Sequence, residues 1–131
     1  MTRHIFLIDD DPICNFIHKN LIESNVENVQ IDIFLDATSF LEFLTGQMSR
    51  DSGTSNYILL DINMPEMSGW DFLDEYSTLK SPSLKNVNIY MVTSSFNKND
   101  IERSKSYKFV KGYFTKPLNE EKLSEIFAYN K

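Results

Sequence analysis

A chain of 131 residues with 41% hydrophobic side chains is sized for one domain with a single core and has no room for a second catalytic or DNA-binding domain. Its 19 acidic against 13 basic residues, a formal net charge of -6, exclude generic attraction to nucleic acid or to an anionic membrane. A single cysteine, Cys14, excludes an intrachain disulfide and a thiolate zinc cluster and suits a reducing cytoplasm.

The apolar run Ile5-Phe6-Leu7-Ile8 follows Met1-Thr2-Arg3-His4 and stops at Asp9-Asp10-Asp11. It is too short for a signal-peptide core of roughly 7–15 residues or a membrane span of about 20, so it reads as a strand covered on both faces. Asp11 with Pro12 behind it predicts a helix start, with Ile13, Phe16, Ile17 and Leu21 on its apolar face. Residues Val29 to Phe34 predict a second strand. Asp36 then caps a second helix lined by Ala37, Phe40, Leu41 and Leu44. The polar stretch Thr45 to Asn56 reads as a surface loop, and Tyr57-Ile58-Leu59-Leu60 as a third strand that stops at Asp61.

Pro65 and Gly69 forbid a helix directly after Asp61, so the third helix starts at Ser68, where Ser68 and Asp71 match a capping box. Phe72, Leu73, Tyr76 and Leu79 form its buried face. Val87 to Val92 is the fourth strand, ending at Thr93-Ser94-Ser95. The helix expected over Asn97 to Tyr107 has only Ile101 and Tyr107 as anchors, a weakly docked element or a partner surface. Gly112 to Thr115 is a short fifth strand followed by Lys116-Pro117. Asn119 caps a last helix ending near Tyr129, with Leu118 and Leu123 as a hydrophobic staple. Alternating strands and helices in one domain over residues 1–131, with no output domain, predict a parallel sheet with helices on both faces.

In such sheets ligands bind at the carboxyl edge of the strands. Asp9 and Asp10, Asp61, Thr93 and Lys116 all fall there. Three aspartates against one lysine leave a formal charge of -2, a conflict that a hard divalent cation such as Mg²⁺ resolves with a few carboxylates, waters and phosphate oxygens. Carboxylates also act as nucleophiles toward phosphorus. These premises make Asp61 the acceptor, with Asp9, Asp10, Asp61 and the main-chain carbonyl of Asn63 as metal ligands. Lys116 pairs with Asp61 and then with phosphoryl oxygens, and the Thr93 hydroxyl donates to another of those oxygens.

The chain resembles the receiver domains of two-component response regulators, especially stand-alone, chemotaxis-type ones. The resemblance rests on Leu7-Ile8-Asp9-Asp10-Asp11-Pro12, on Leu60-Asp61 through Gly69, on Val92-Thr93-Ser94 and on Tyr113 to Pro117, which occur in family order. It implies a flavodoxin-like fold, five (βα) units around a parallel sheet of order 2-1-3-4-5, with a cis Lys116-Pro117 bond. It implies phosphorylation of Asp61 by a sensor histidine kinase or histidine phosphotransfer protein with Mg²⁺ (Mn²⁺ as a substitute), and spontaneous dephosphorylation. Thr93 and Tyr113 would form a switch that reshapes the surface of helix 4, strand 5 and helix 5 for a downstream protein target. The implied protein is a cytoplasmic signalling domain rather than an enzyme, a monomer or weak dimer, with no direct nucleic-acid contact and no membrane insertion.

Plainer readings apply elsewhere. Asp11 reads as a helix cap, His4 and His18 as surface or packing histidines, Cys14 as an apolar filler, and Trp70 and Phe72 as packing residues. Lys98, Arg103, Lys105, Lys108 and Lys111 read as a solvated face, although family partners dock there. The rival function, an aspartate-nucleophile phosphatase, needs an acid-base carboxylate, commonly two residues past the nucleophile; that position is Asn63.

Overall fold

Apolar runs that stop at polar residues become parallel strands, each feeding a helix that crosses one face of the sheet. The computed structural model describes residues 2–46, 54–79 and 87–128. Its elements in chain order are β1 (Thr2–Ile8), α1 (Pro12–Asn25), β2 (Val29–Phe34), α2 (Ala37–Gly46) and β3 (Thr54–Leu60), then α3 (Gly69–Tyr76), β4 (Val87–Thr93), α4 (Lys98–Lys105), β5 (Val110–Thr115) and α5 (Glu120–Phe127). The strands form one parallel sheet of order β2-β1-β3-β4-β5, the order expected of a flavodoxin-like fold. Order reverses beside β1, so the loops after β1 and β3 diverge to opposite faces and leave a crevice between them.

Two cores sandwich the sheet. Phe6, Ile8, Ile58, Leu60 and Met91 point to the side covered by α2 and α3, where Phe40 and Phe72 are fully buried. Phe6 and Phe40 lie 5.1 Å apart between ring centroids, and Phe40 and Phe72 5.7 Å apart. Ile5, Leu7, Leu59 and Val92 point the other way, onto Ile22, Leu123, Ile126 and Phe127 of α1 and α5. Each fully buried aromatic or branched side chain stabilises the fold by about 1.5–3 kcal/mol relative to exposure.

The helix starts follow the sequence. Asp11 Oδ1 accepts the Ile13 N–H at 3.0 Å, and Asp36 Oδ1 accepts the Ser39 N–H at 2.7 Å. Ser68 and Asp71 form a reciprocal capping box, and Asn97 and Asn119 cap α4 and α5. Leu118 and Leu123 are buried in the same cluster. Trp70 and Phe72 are packing residues, as read.

Three expectations are corrected. First, of the predicted apolar stripe of α1 only Leu21 packs against the core: Ile13, Phe16 and Ile17 are 71%, 63% and 51% exposed, and α1 buries Asn15, His18 and Ile22 instead. Backbone polar groups lie beneath the first turns of this helix, and buried polar groups require hydrogen-bond partners. Second, the loop expected over Thr45 to Asn56 is shorter. Helix α2 runs to Gly46 and β3 starts at Thr54, because Thr54, Ser55 and Asn56 pair with Thr2, Arg3 and His4 of β1 despite their polarity. Residues 47–53 lie outside the described residues. Third, α5 ends at Phe127, where Ala128 turns into the left-handed region (φ 51°) and donates its N–H to Ser124 O. Tyr129, the expected end, lies outside the described residues.

Candidate functional site

The ladder carries the site residues to one place. The Asp61 N–H donates to Ile8 O at 3.0 Å, the Asp9 N–H to Phe34 O at 3.1 Å and the Lys116 N–H to Thr93 O at 2.8 Å. The strand ends that precede Asp9, Asp61 and Lys116, and Thr93 itself, are therefore tied in one row.

The side chains converge. Lys116 Nζ lies 2.5 Å from Asp9 Oδ2 and 3.2 Å from Asp61 Oδ2, bridging the two buried carboxylates. The sequence reading paired Lys116 with Asp61, whereas the ammonium sits closer to Asp9. Asp61 Oδ1 accepts the Ile62 N–H at 2.8 Å, and Asp9 Oδ1 accepts the Asp11 N–H at 3.0 Å. Asp10 is exposed, yet it, Asp9 and Asp61 each offer an oxygen within 4.8 Å of the others. An all-oxygen donor set of this size suits a hard divalent cation. Asn63 is exposed on the loop that follows, so no carboxylate occupies the acid-base position of a phosphatase.

Electrostatics reflect this crowding. Burial raises the Asp61 pKa above its ordinary range and the Asp9 charge adds to that, while the Lys116 charge and hydrogen bonds from Lys116 and Thr93 pull it back. Burial works against the Lys116 ammonium, but the hydrogen bond to Asp9 and the charges of Asp61 and Asp9 outweigh it and hold its pKa above the usual lysine value. Lys116 is thus a fixed cation. Thr93 is fully buried, and its Oγ1 accepts the Ser95 N–H at 3.3 Å. Tyr113 donates its hydroxyl to Ser95 O at 2.9 Å, which joins the loop after β4 to β5.

The loop after β3 is pressed on the site. A Cβ on Gly69 would lie 2.4 Å from Asp61 O and 2.9 Å from Ile62 Cα, both backbone atoms, so only glycine fits. Glu66 on the same loop adopts φ 66°. The Lys116-Pro117 peptide is cis, as expected.

Sequence reading missed two supports of the site, Asn15 and His18. Asn15 Nδ2 donates to Asp9 O at 2.8 Å, and His18 Nε2 accepts the Leu118 N–H at 3.2 Å, just beyond Pro117. His18 is held as the neutral imidazole, its pKa lowered first by burial and then by the Lys116 charge. The available signal was spacing: Asn15, His18 and Ile22 share a face at i, i+3, i+7, but two of the three are polar. Cys14 is half-buried beside them, 3.6 Å from His18 Nδ1, and burial pushes its thiol up to about 11.

A doubly wound α/β domain with an acidic cluster, a buried hydroxyl and a lysine on its carboxyl edge defines the class. Residues 5–128 match the family model of the response regulator receiver domain, and the chain belongs to that family of signalling domains. It is 28% identical over 124 residues to response regulator Rcp1 of Synechocystis sp., covering 94% of this chain and 80% of that one. Among solved structures, a response regulator receiver protein from Dyadobacter fermentans superimposes with a TM-score of 0.84 at 21% identity, covering 96% of this chain and 95% of that one. A two component response regulator from Cytophaga hutchinsonii gives 0.82 at 24% identity, covering 97% and 95%. The Mn²⁺-bound form of Rcp1 gives 0.70 at 25% identity, covering 93% and 86%. No described helix is long and apolar enough to cross a membrane.

Proposed function

We propose that the chain accepts a phosphoryl group on Asp61 from a phosphohistidine of a sensor kinase or phosphotransfer protein, and that the product controls a downstream protein. The observation that carries this reading is the Lys116 bridge between two buried carboxylates, one of which, Asp61, has no carboxylate two residues on to serve repeated hydrolysis.

An Asp61 carboxylate oxygen forms the new O–P bond as the P–N bond to the donor imidazole breaks. The electron pair returns to that nitrogen, which takes its proton from solvent. Lys116 is near enough to follow the charge from carboxylate to phosphoryl oxygens, and Thr93 donates its hydroxyl to another of them. Asp9, Asp10, Asp61 and the Asn63 carbonyl would hold Mg²⁺, or Mn²⁺ in its place, and the ion would neutralise phosphoryl charge. The Mn²⁺-bound form of Rcp1 supports a divalent ion here.

Two surfaces suit the partners. Ile13, Phe16 and Ile17 form an exposed apolar face on α1, and Ile13 and Ile17 border a cavity of about 180 Å³ that also touches Lys116 and Pro117. A donor must bring its histidine to Asp61, and an apolar face beside that site offers it contact area. On the other side, Tyr113 lines a groove of about 230 Å³ with Ile101, Val110 and Lys105 between α4 and β5. Movement of Thr93 and Tyr113 changes this groove for the downstream target.

Incubation with Mg²⁺ and acetyl phosphate should give a labile mass increase of one phosphoryl group, absent in Asp61→Asn. No adduct on the wild type, or an undiminished one in the variant, rejects the reading.

A further inference from the structure

Helix α4 buries a single described residue, Ser104, and is held at each end by a different device. At its C-terminal turn, the Arg103 guanidinium lies 4.6 Å from the centre of the Trp70 ring, which also stacks on Tyr107 at 5.9 Å and 15°. The Tyr107 hydroxyl donates to Asp74 Oδ1 at 2.7 Å. Trp70 and Asp74 are an i, i+4 pair on α3 and lie one above the other on one face, while Tyr107 lies in the turn just beyond the end of α4. Trp70 is itself buried and follows Gly69, whose backbone is wedged against Asp61 and Ile62. The C-terminal end of α4 is therefore fastened to α3, whose first residue is packed against the backbone of Asp61 and Ile62.

The N-terminal turn is fastened to another part. Ser95 Oγ donates to Asp100 Oδ2 at 2.6 Å, while the Ser95 N–H donates to Thr93 Oγ1 and Ser95 O accepts from Tyr113. Any displacement of Thr93 is transmitted through Ser95 to Asp100.

We propose that Trp70, Asp74, Arg103 and Tyr107 form a hinge about which α4 swings, its C-terminal turn fixed on α3 while Thr93 and Ser95 steer its N-terminal turn. A helix tied at one end and driven at the other pivots rather than slides, so the groove beside Ile101 and Tyr113 opens from the N-terminal end. The link to phosphorylation rests on the function proposed above; the hinge itself does not.

Amide hydrogen exchange tests both parts. In the resting protein the double variant Arg103→Ala/Tyr107→Phe should speed exchange over residues 103–107 by about tenfold, with residues 99–101 changed less than about twofold. Emission from Trp70, the single tryptophan, should shift with it, and Arg103→Lys should restore most of the wild-type signal. Asp100→Asn should give the opposite pattern. If either variant loosens both turns alike, or neither turn, the hinge is wrong. With Mg²⁺ and beryllofluoride, the wild-type change should be confined to residues 99–101 and should spread to 103–107 in the double variant; an equal change at both ends of the wild type also overturns it. Failure of beryllofluoride to bind would reject the phosphoacceptor reading and leave the hinge to be decided by the resting protein.

Discussion

Helices α1 and α3 follow the two strands that end in aspartate, yet they use their apolar residues in opposite ways. Helix α3 turns Trp70, Phe72, Leu73 and Tyr76 inward, and its exposed positions include Asp71, Asp74 and Glu75. Helix α1 turns Ile13, Phe16 and Ile17 outward and buries Asn15 and His18. A packing helix is read by where its hydrophobic stripe lies. In α1 most of that stripe lies in solvent, and the inner face serves the backbone of the site.

The contrast can be broken at several points. Removing a buried ring of α3 has the largest effect: Phe72→Ala should cost about 3–5 kcal/mol in denaturant unfolding, enough to abolish folding of a marginal domain. On α1, Asn15→Ala strips the buried Asp9 carbonyl of its donor and should cost about 1–3 kcal/mol in the same measurement. A loss as small as that of a surface substitution would show that Asn15 is dispensable.

His18 sharpens the comparison through pH. Its folded-state pKa lies below the ordinary 6.5, so above 6.5 both folded and unfolded chains carry it neutral. As pH falls below 6.5 the unfolded chain gains a proton first and stability drops, until the folded pKa is reached. At one unit below 6.5 the loss is at most about 1.4 kcal/mol, read as the difference between wild type and His18→Gln across urea titrations from pH 7.5 to 5.

The smallest effect on stability per site belongs to Ile13→Ser/Phe16→Ser/Ile17→Ser, within about 0.5 kcal/mol at each position because all three are exposed. The same triple variant should slow phosphoryl transfer from a protein donor by about tenfold or more while leaving transfer from acetyl phosphate unchanged. Equal rates with the protein donor would detach the α1 face from donor binding.

These particulars show where sequence was sufficient. Parallel strands, helix starts and the meeting of Asp9, Asp61, Thr93 and Lys116 were legible because unbroken apolar runs, capping residues and the carboxyl-edge rule are each local or topological, whereas the strand order came only from the family resemblance. The inner face of α1 was not, since periodicity finds a stripe without saying which way it points, and the need for Asn15 arises from a carbonyl six residues away that only the fold brings beneath it. Residues Thr54 to Asn56 failed similarly. Their composition is that of a loop, and the ladder with β1 overrides it.

Lys116 meets Asp9 across 107 positions of sequence. During synthesis the two carboxylates emerge long before the cation that balances them, so a half-made chain carries Asp9 and Asp61 without their counter-charge. The centre can be completed only when β5 has docked against β4. The assembled centre therefore arrives late, and it reports that all five strands of the sheet have found their places.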